Sequence, residues 1–261
     1  MNIDLHFHHM PESAMSLARR DNPFGESLHM IDGILHHEAG GWMVPMAREL
    51  YDLEHMLALM DERHVDMAAI TPTPILYREE ADAADVLAAD RDINNDMARL
   101  QEQFPDRFAP LGIVPMQHPV AAVGELKRCM LELGLRGIEF DTNVQGANLD
   151  DPRFRPLWET AAELGAVVFL HPLWGLGPER LPRWYLVNLV GYPADTAVAV
   201  GSLIFSGILE DLPELKIVCA HGGGAASALV GRWERHWQVK EGEEAKRMAP
   251  EVRELPLTPL Q

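Results

Sequence analysis

Cysteine is scarce in this sequence: only Cys129 and Cys219 occur among 261 residues, and both lie in apolar segments. Two isolated cysteines do not form a disulfide framework, and their pattern is typical of a reducing cytosol. The N-terminus lacks the basic-then-apolar pattern of a signal peptide, and no run reaches the 18 apolar residues of a membrane span. We therefore expect a cytoplasmic protein without a membrane partner.

Basic residues are also few, since Lys and Arg number 22 against 40 Asp and Glu, and the formal net charge is −18. The negative electrostatic field of such a protein repels nucleic-acid phosphates and anionic membrane surfaces, so we expect neither as a partner. An anionic substrate would have to be held locally by individual arginines. The hydrophobic share of 47% is ample for a large core, and a single α/β barrel reaches about 250 residues.

Strand and helix patterns alternate six times along the chain. The strands are predicted at residues 3–8, 65–70, 108–116, 135–140, 166–171 and 216–221, and the helices at about residues 51–63, 80–104, 119–133, 152–164, 194–209 and 225–240. Such repeats form a (β/α)8 barrel or an open doubly wound sheet. The open sheet favours a glycine-rich phosphate loop after the first strand, where His8-His9-Met10-Pro11 stands instead. We therefore predict an α/β fold of the TIM-barrel type.

Six strands do not close an eight-stranded barrel. After Lys240 the sequence is charged and then proline-rich up to Gln261, so we predict that strands 7 and 8 are missing from this 261-residue sequence. Residues 1–261 are interpreted as a single metal-dependent hydrolase-type barrel domain. The polar stretch at about residues 10–48 is predicted to be a capping loop or small insertion, with an exposed surface loop as the equal alternative.

Four histidines lie at the carboxyl ends of predicted strands. His6 and His8 project from one face of the first strand, about 7 Å apart along it, and His171 and His221 end two later strands. In a barrel these ends converge on one mouth. Neutral imidazole is a common ligand of zinc-like ions, and such an ion lowers the pKa of its bound water. A single strand-end histidine is more often structural, so it is the joint placement that indicates a metal site.

His221-Gly222-Gly223-Gly224 has a competing interpretation as the oxyanion hole of a lipase-like hydrolase. Such enzymes need a G-x-S-x-G pentapeptide, and none occurs in the sequence, which excludes that class. Three glycines after His221 would instead permit a close backbone approach. Glu139 and Asp141, at the end of the fourth strand, are interpreted as supporting or loop-capping groups and not as metal ligands.

Ile3–His8, His171-Pro172-Leu173-Trp174 and Ala220–Gly224 together resemble the amidohydrolase superfamily. The resemblance extends over nearly the whole chain. It is closest to the amidohydrolase 2 branch that contains aminocarboxymuconate-semialdehyde decarboxylase and related aromatic-acid decarboxylases. It implies a (β/α)8 barrel with one divalent ion, Zn²⁺ or alternatively Mn²⁺, held by His6, His8 and His171. His221 would be the catalytic acid/base that activates metal-bound water or positions the substrate.

The same resemblance implies that Arg232 grips a substrate carboxylate, in relatives from across a dimer interface, so a homodimer is expected. Arg48 and Trp174 are the other candidates for substrate binding. Family members also use an aspartate after the eighth strand as a further metal ligand. The last aspartate of this sequence is Asp211, so that ligand is absent from it.

These features predict a lyase: a metal-dependent, non-oxidative decarboxylase of an unsaturated or aromatic carboxylic acid. Two alternatives remain open. A hydrolase or hydratase acting on a lactone or an unsaturated diacid would use the same metal and scaffold. A non-catalytic barrel could bind a small acid without turnover.

Overall fold

The computed structural model describes residues 1–239 and 257–260, and the chain forms two compact units, Met1–Phe140 and Asp141–Gln261. The predicted alternation of strands and helices is confirmed as mixed α/β structure. Closure into an eight-stranded barrel, the single-domain interpretation and the missing strands 7 and 8 stay predictions.

The first unit is built on parallel strands with helices between them. Its elements are β1 (Ile3–His9), α1 (Glu12–Ala18), β2 (Ser27–Ile31), β3 (Ile34–Ala39), β4 (Trp42–Pro45), α2 (Leu53–Glu62), β5 (Met67–Pro72), α3 (Ala83–Gln103), β6 (Phe108–Pro110), β7 (Gly112–Ile113), α4 (Pro119–Leu131) and β8 (Gly137–Phe140). Strands β1, β5 and β6 pair in that order, and β7 pairs with β8, all in parallel. The predicted third strand is divided into β6 and β7, with Leu111 between them. The N–H of Leu111 donates to the carbonyl oxygen of Ile70.

Helix α3 shows how the sequence pattern becomes packing. Asp82 caps its N-terminus by accepting a hydrogen bond from the N–H of Ala84. Val86, Ile93 and Met97 recur at helical spacing and are buried. Burying each such side chain contributes about 1.5–3 kcal/mol, so the helix is held mainly by this apolar face.

The stretch from about residue 10 to 48 contains regular structure as well as loops. Helix α1 is followed by the antiparallel sheet β2-β3-β4. Asp32 and Gly33 join β2 to β3 with φ of 49° and 80°, the positive values that a type I′ turn requires. The capping role predicted for this stretch stays a prediction.

The second unit has the same alternation. Its elements are β9 (Asn143–Val144), β10 (Ala147–Asn148), α5 (Arg155–Leu164), β11 (Val167–Leu170), α6 (Tyr192–Phe205), α7 (Ile208–Asp211), β12 (Lys216–Cys219) and α8 (Ala226–Val239). Gly165 ends α5 with φ of 64°, the left-handed conformation that glycine adopts readily at a helix C-terminus. Strands β11 and β12 pair in parallel with Leu170 opposite Cys219. His171 and the turn that carries His221 therefore leave the sheet at the same end.

One segment among the described residues, Val187–Phe205, is long and apolar enough to cross a membrane by length and composition. Core helices of folded units meet the same criterion. Asp195 within this segment is buried and accepts hydrogen bonds from Thr142 Oγ1 and Asn143 Nδ2. This contact is typical of a core helix, since a carboxylate that leaves water needs polar partners.

Candidate active site

Strand β1 brings the first two predicted ligands together. His6 Nε2 lies 3.0 Å from His8 Nε2, and the two rings meet edge to face. The pairing of β1 with β5 shifts register between Asp4 and Phe7. His6 lies in this irregularity, where its N–H donates to Asp4 Oδ1.

The proton of His8 is fixed by its neighbour in the sheet. His8 is the register partner of Thr71, and its Nδ1 lies 2.8 Å from Thr71 Oγ1. The Thr71 hydroxyl donates to the carbonyl of Phe7, so its oxygen is the acceptor for a proton on His8 Nδ1. Glu139, which is fully buried, has Oε1 3.8 Å from the same nitrogen. His8 is therefore held with its Nε2 lone pair directed away from Thr71.

The donor chemistry of this pair fits a divalent ion. Two imidazole nitrogens that each lie about 2.0–2.1 Å from one ion are separated by about 2.9–3.4 Å. The observed separation of 3.0 Å falls in that range. A hydrogen bond to the far nitrogen, as at His8, is also the usual partner of a metal-bound histidine.

The second unit places the other two predicted histidines side by side. His171 is buried, and its ring centroid lies 4.9 Å from that of His221. Tyr192 stacks on His221 at a centroid distance of 6.0 Å. Partial burial among these rings lowers the pKa of His221, so a neutral imidazole is favoured at neutral pH. Burial raises the pKa of Tyr192 to about 12, which keeps its hydroxyl protonated.

His221 is presented by a left-handed turn. Its φ is 54°, and Gly222, Gly223 and Gly224 all have positive φ. A Cβ on Gly224 would lie 2.5 Å from the carbonyl oxygen of Pro193 and 2.9 Å from Thr196 Cβ. The close approach predicted for this glycine run is confirmed at Gly224, where the turn packs on the start of α6.

Asp141 orders the loop that follows β11. Its Oδ1 accepts hydrogen bonds from the N–H groups of Thr142 and Leu173. Leu173 lies between His171 and Trp174, so this buried carboxylate holds the segment that carries both. Trp174 itself is 43% exposed and offers an apolar surface to a ligand.

The predicted substrate arginines are both accessible. Arg48 lies in the short turn Arg48–Leu50, and its guanidinium contacts Asp52 Oδ2 at 2.7 and 2.8 Å. The side chain is 65% exposed, so this ion pair leaves donors free for an anion. His9 supports the turn through Nδ1, 2.9 Å from the carbonyl of Leu50. Arg232 is exposed on α8. Carboxylate binding by either arginine stays a prediction.

Comparison with known proteins settles the family. A family model described as Amidohydrolase matches residues 3–255. The chain belongs to the amidohydrolase family. The resemblance carried by the histidine motifs is thereby confirmed.

Curated relatives carry decarboxylase names. The chain is 34% identical over 250 residues to 2-amino-3-carboxymuconate-6-semialdehyde decarboxylase of Dictyostelium discoideum, a match that covers 92% of this chain and 68% of that protein. It is 30% identical over 207 residues to gamma-resorcylate decarboxylase of Rhodococcus jostii, covering 73% of this chain and 62% of that protein. The chain thus spans about two thirds of the length of these relatives.

Solved structures share the fold. The apo form of Metarhizium anisopliae IDCase superposes with a TM-score of 0.81 at 20% identity, covering 99% of this chain and 74% of that chain. Dihydroxybenzoic acid decarboxylase from Polaromonas sp. JS666, with bound manganese and the inhibitor 2-nitroresorcinol, gives a TM-score of 0.70 at 23% identity, covering 99% of this chain and 74% of that one.

Thr71 and Tyr192 were not anticipated from the sequence. Thr71 becomes a neighbour of His8 through a strand register that joins residues 63 positions apart, and no local pattern signals it. Tyr192 follows Gly191 at the start of α6. Its contact with His221 depends on the left-handed turn.

Proposed function

We propose that this chain is a metal-dependent, non-oxidative decarboxylase of an unsaturated or aromatic carboxylic acid. The observation that carries the proposal is the His6–His8 pair, whose Nε2 atoms are 3.0 Å apart and suited to one ion. It occurs in a chain 34% identical to a decarboxylase. Decarboxylation of this kind is lyase chemistry and uses no redox cofactor.

In this proposal His6, His8 and His171 hold one divalent ion, Zn²⁺ or alternatively Mn²⁺. Manganese in the Polaromonas decarboxylase of the same fold supports a divalent ion. If the chain forms a (β/α)8 barrel, the carboxyl ends of β1 and β11 share one mouth, which would bring the three imidazoles together. When bound, the ion supplies positive charge that draws electron density from the substrate.

We assign the proton transfer of the reaction to His221. As a neutral imidazole it accepts a proton from the substrate or water and donates it to the substrate carbon that carries the carboxylate. The bond between that carbon and the carboxylate then breaks, its electron pair re-forms the double bond to the neighbouring carbon, and carbon dioxide leaves. Tyr192, stacked on His221, holds the ring in position for this transfer.

Substrate binding is assigned to Arg232, Arg48 and Trp174. A guanidinium group pairs with a carboxylate through two parallel hydrogen bonds, which a lysine cannot do. Trp174 would pack on the apolar part of the substrate. A homodimer that contributes Arg232 across its interface, and a cytoplasmic location, belong to the same proposal. Sedimentation of the purified chain would test the dimer.

The experiment measures carbon dioxide. The protein is stripped with a chelator, divided, and loaded with Zn²⁺, Mn²⁺ or no metal, and each portion is offered a panel of aromatic and unsaturated carboxylic acids. We expect release of carbon dioxide from at least one acid only after metal loading, and its loss in His6→Gln. A product that keeps its carboxylate and gains one water would instead establish a hydrolase or hydratase. Binding without turnover would establish the small-acid-binding alternative.

A further inference from the structure

A second group of side chains of the types that can bind a metal ion lies on the β2–β3 hairpin. Its register places Ser27 opposite Glu38 and His29 opposite His36. Directly opposed residues of an antiparallel pair point to the same face. His36 and Glu38 are two residues apart on β3, so they share that face as well. Two imidazoles and a carboxylate therefore face the same side of the sheet.

Three of these side chains already converge. His29 Nε2 lies 2.8 Å from Glu38 Oε2 and 2.8 Å from Ser27 Oγ, and the serine hydroxyl donates to the same carboxylate oxygen at 3.1 Å. Hydrogen bonds from Ser27 and His29 lower the pKa of Glu38, which keeps the carboxylate anionic. Both contacts of His29 use one ring nitrogen, so the trio cannot relay a proton as a catalytic triad does.

His36 carries the feature expected of a metal ligand. Its Nδ1 lies 3.0 Å from the carbonyl oxygen of Ile34. A carbonyl oxygen only accepts hydrogen bonds, so the proton is on Nδ1 and the Nε2 lone pair is available. Metal-bound histidines almost always donate their other ring N–H in this way. The type I′ turn at Asp32-Gly33 fixes the register that brings His36 opposite His29.

From this arrangement we infer that the hairpin binds one divalent transition-metal ion through His29, His36 and Glu38. The ion replaces the proton shared by His29 and Glu38, and that proton is released. Two imidazoles and one carboxylate suit Zn²⁺, Ni²⁺ and Cu²⁺ better than Mg²⁺ or Ca²⁺. His29 and Glu38 are 41% and 42% exposed, so water fills the remaining coordination positions. This site is independent of the proposed decarboxylase function.

The test uses the full chain and Zn²⁺ alone. Ring signals of the histidines are followed by NMR during titration, and bound zinc is counted after equilibrium dialysis. We expect the signals of His29 and His36 to shift together, and His36→Gln and Glu38→Gln to weaken this binding event at least tenfold. His55→Gln, a histidine of helix α2, is the matched control and should bind as wild type does.

The double variant His6→Gln/His8→Gln separates the two proposals, because it lacks two proposed catalytic ligands but keeps the hairpin. This variant should still bind zinc, and the NMR ring signals of His29 and His36 should still shift, whether or not the decarboxylase proposal holds. Thermal unfolding without metal checks that His36→Gln keeps the fold. Unmoved His29 and His36 signals under excess zinc, or wild-type binding by His36→Gln, would overturn the inference.

Discussion

Gly224 gives the sharpest test of how the left-handed turn presents His221. Its backbone has φ of 58° and ψ of −135°, a conformation that costs a residue with a Cβ about 1–3 kcal/mol. The added methyl would also lie 2.5 Å from the Pro193 oxygen, and such overpacking costs about 1–3 kcal/mol. The Gly224→Ala variant should therefore lose about 4 kcal/mol of unfolding free energy.

Gly222 is the matched control, since it belongs to the same turn. Its φ is 64°, and a Cβ there would meet nothing within 4 Å. The Gly222→Ala variant should lose only the conformational cost, about 1–2 kcal/mol. Each kcal/mol lowers the unfolding temperature by about 2–4 °C at this chain length, so a difference of about 2–3 kcal/mol should separate the two variants by roughly 4–12 °C.

Thermal unfolding followed by circular dichroism measures the difference, and urea titration of both variants gives the free energies. Equal losses in the two variants would refute the reasoning, because Gly224 differs from Gly222 in its close contacts with Pro193 and Thr196 and in its backbone conformation. Decarboxylase activity adds a second measurement. The overlap in Gly224→Ala should displace His221 from His171 and lower kcat more than Gly222→Ala does.

Three further predictions concern buried polar groups of the first unit. Thr71→Val removes the oxygen 2.8 Å from His8 Nδ1 and should weaken metal binding about 10- to 100-fold, measured by competition with a zinc indicator. Glu26→Gln should cost about 3–5 kcal/mol in urea unfolding, since it leaves the buried guanidinium of Arg78, now bound at 2.6 and 2.8 Å, without its counter-charge; a loss under 1 kcal/mol contradicts this. Burial raises the pKa of Asp90 well above its usual value, so the folded state retains a proton that the unfolded state releases. The unfolding free energy of the wild type should therefore fall as pH rises above about 4. The Asp90→Asn variant should lack this loss when the unfolding free energies of both proteins are measured at pH 4 and pH 7.

The parts of the fold that could be predicted from the sequence are those encoded by local spacing. Alternation over Ile3–His8 predicted that His6 and His8 share a face, and helical spacing predicted α3. The Asp32-Gly33 pair between apolar residues is a hairpin signal that could have revealed β2 and β3 inside the polar stretch. Gly207 likewise divides the predicted fifth helix, because its φ of 79° ends α6 before α7 begins.

What could not be predicted depends on contacts between distant residues. The role of Thr71 needs the β1–β5 register, and the neighbourhood of Tyr192 and His221 needs the turn that follows β12. His221 was predicted as the end of a strand, but β12 ends at Cys219 and the histidine has left-handed backbone. A pattern of residue types gives a period but not a φ angle, and the three glycines after His221 were the one local sign of that conformation.

The two histidine groups of the first unit use the same hydrogen-bonding arrangement and differ in burial. At His8 and at His36 a proton on Nδ1 is directed to an oxygen of the hairpin or sheet, which leaves Nε2 as the ligand atom. His8 is 18% exposed and adjoins the fully buried Glu139, whereas His29 and Glu38 are more than twice as exposed. An ion attracts its ligands more strongly where less water screens the charge. If both proposals hold, a chelator should therefore remove zinc from the hairpin first, and decarboxylase activity should persist after the His29 and His36 signals have returned to their metal-free positions.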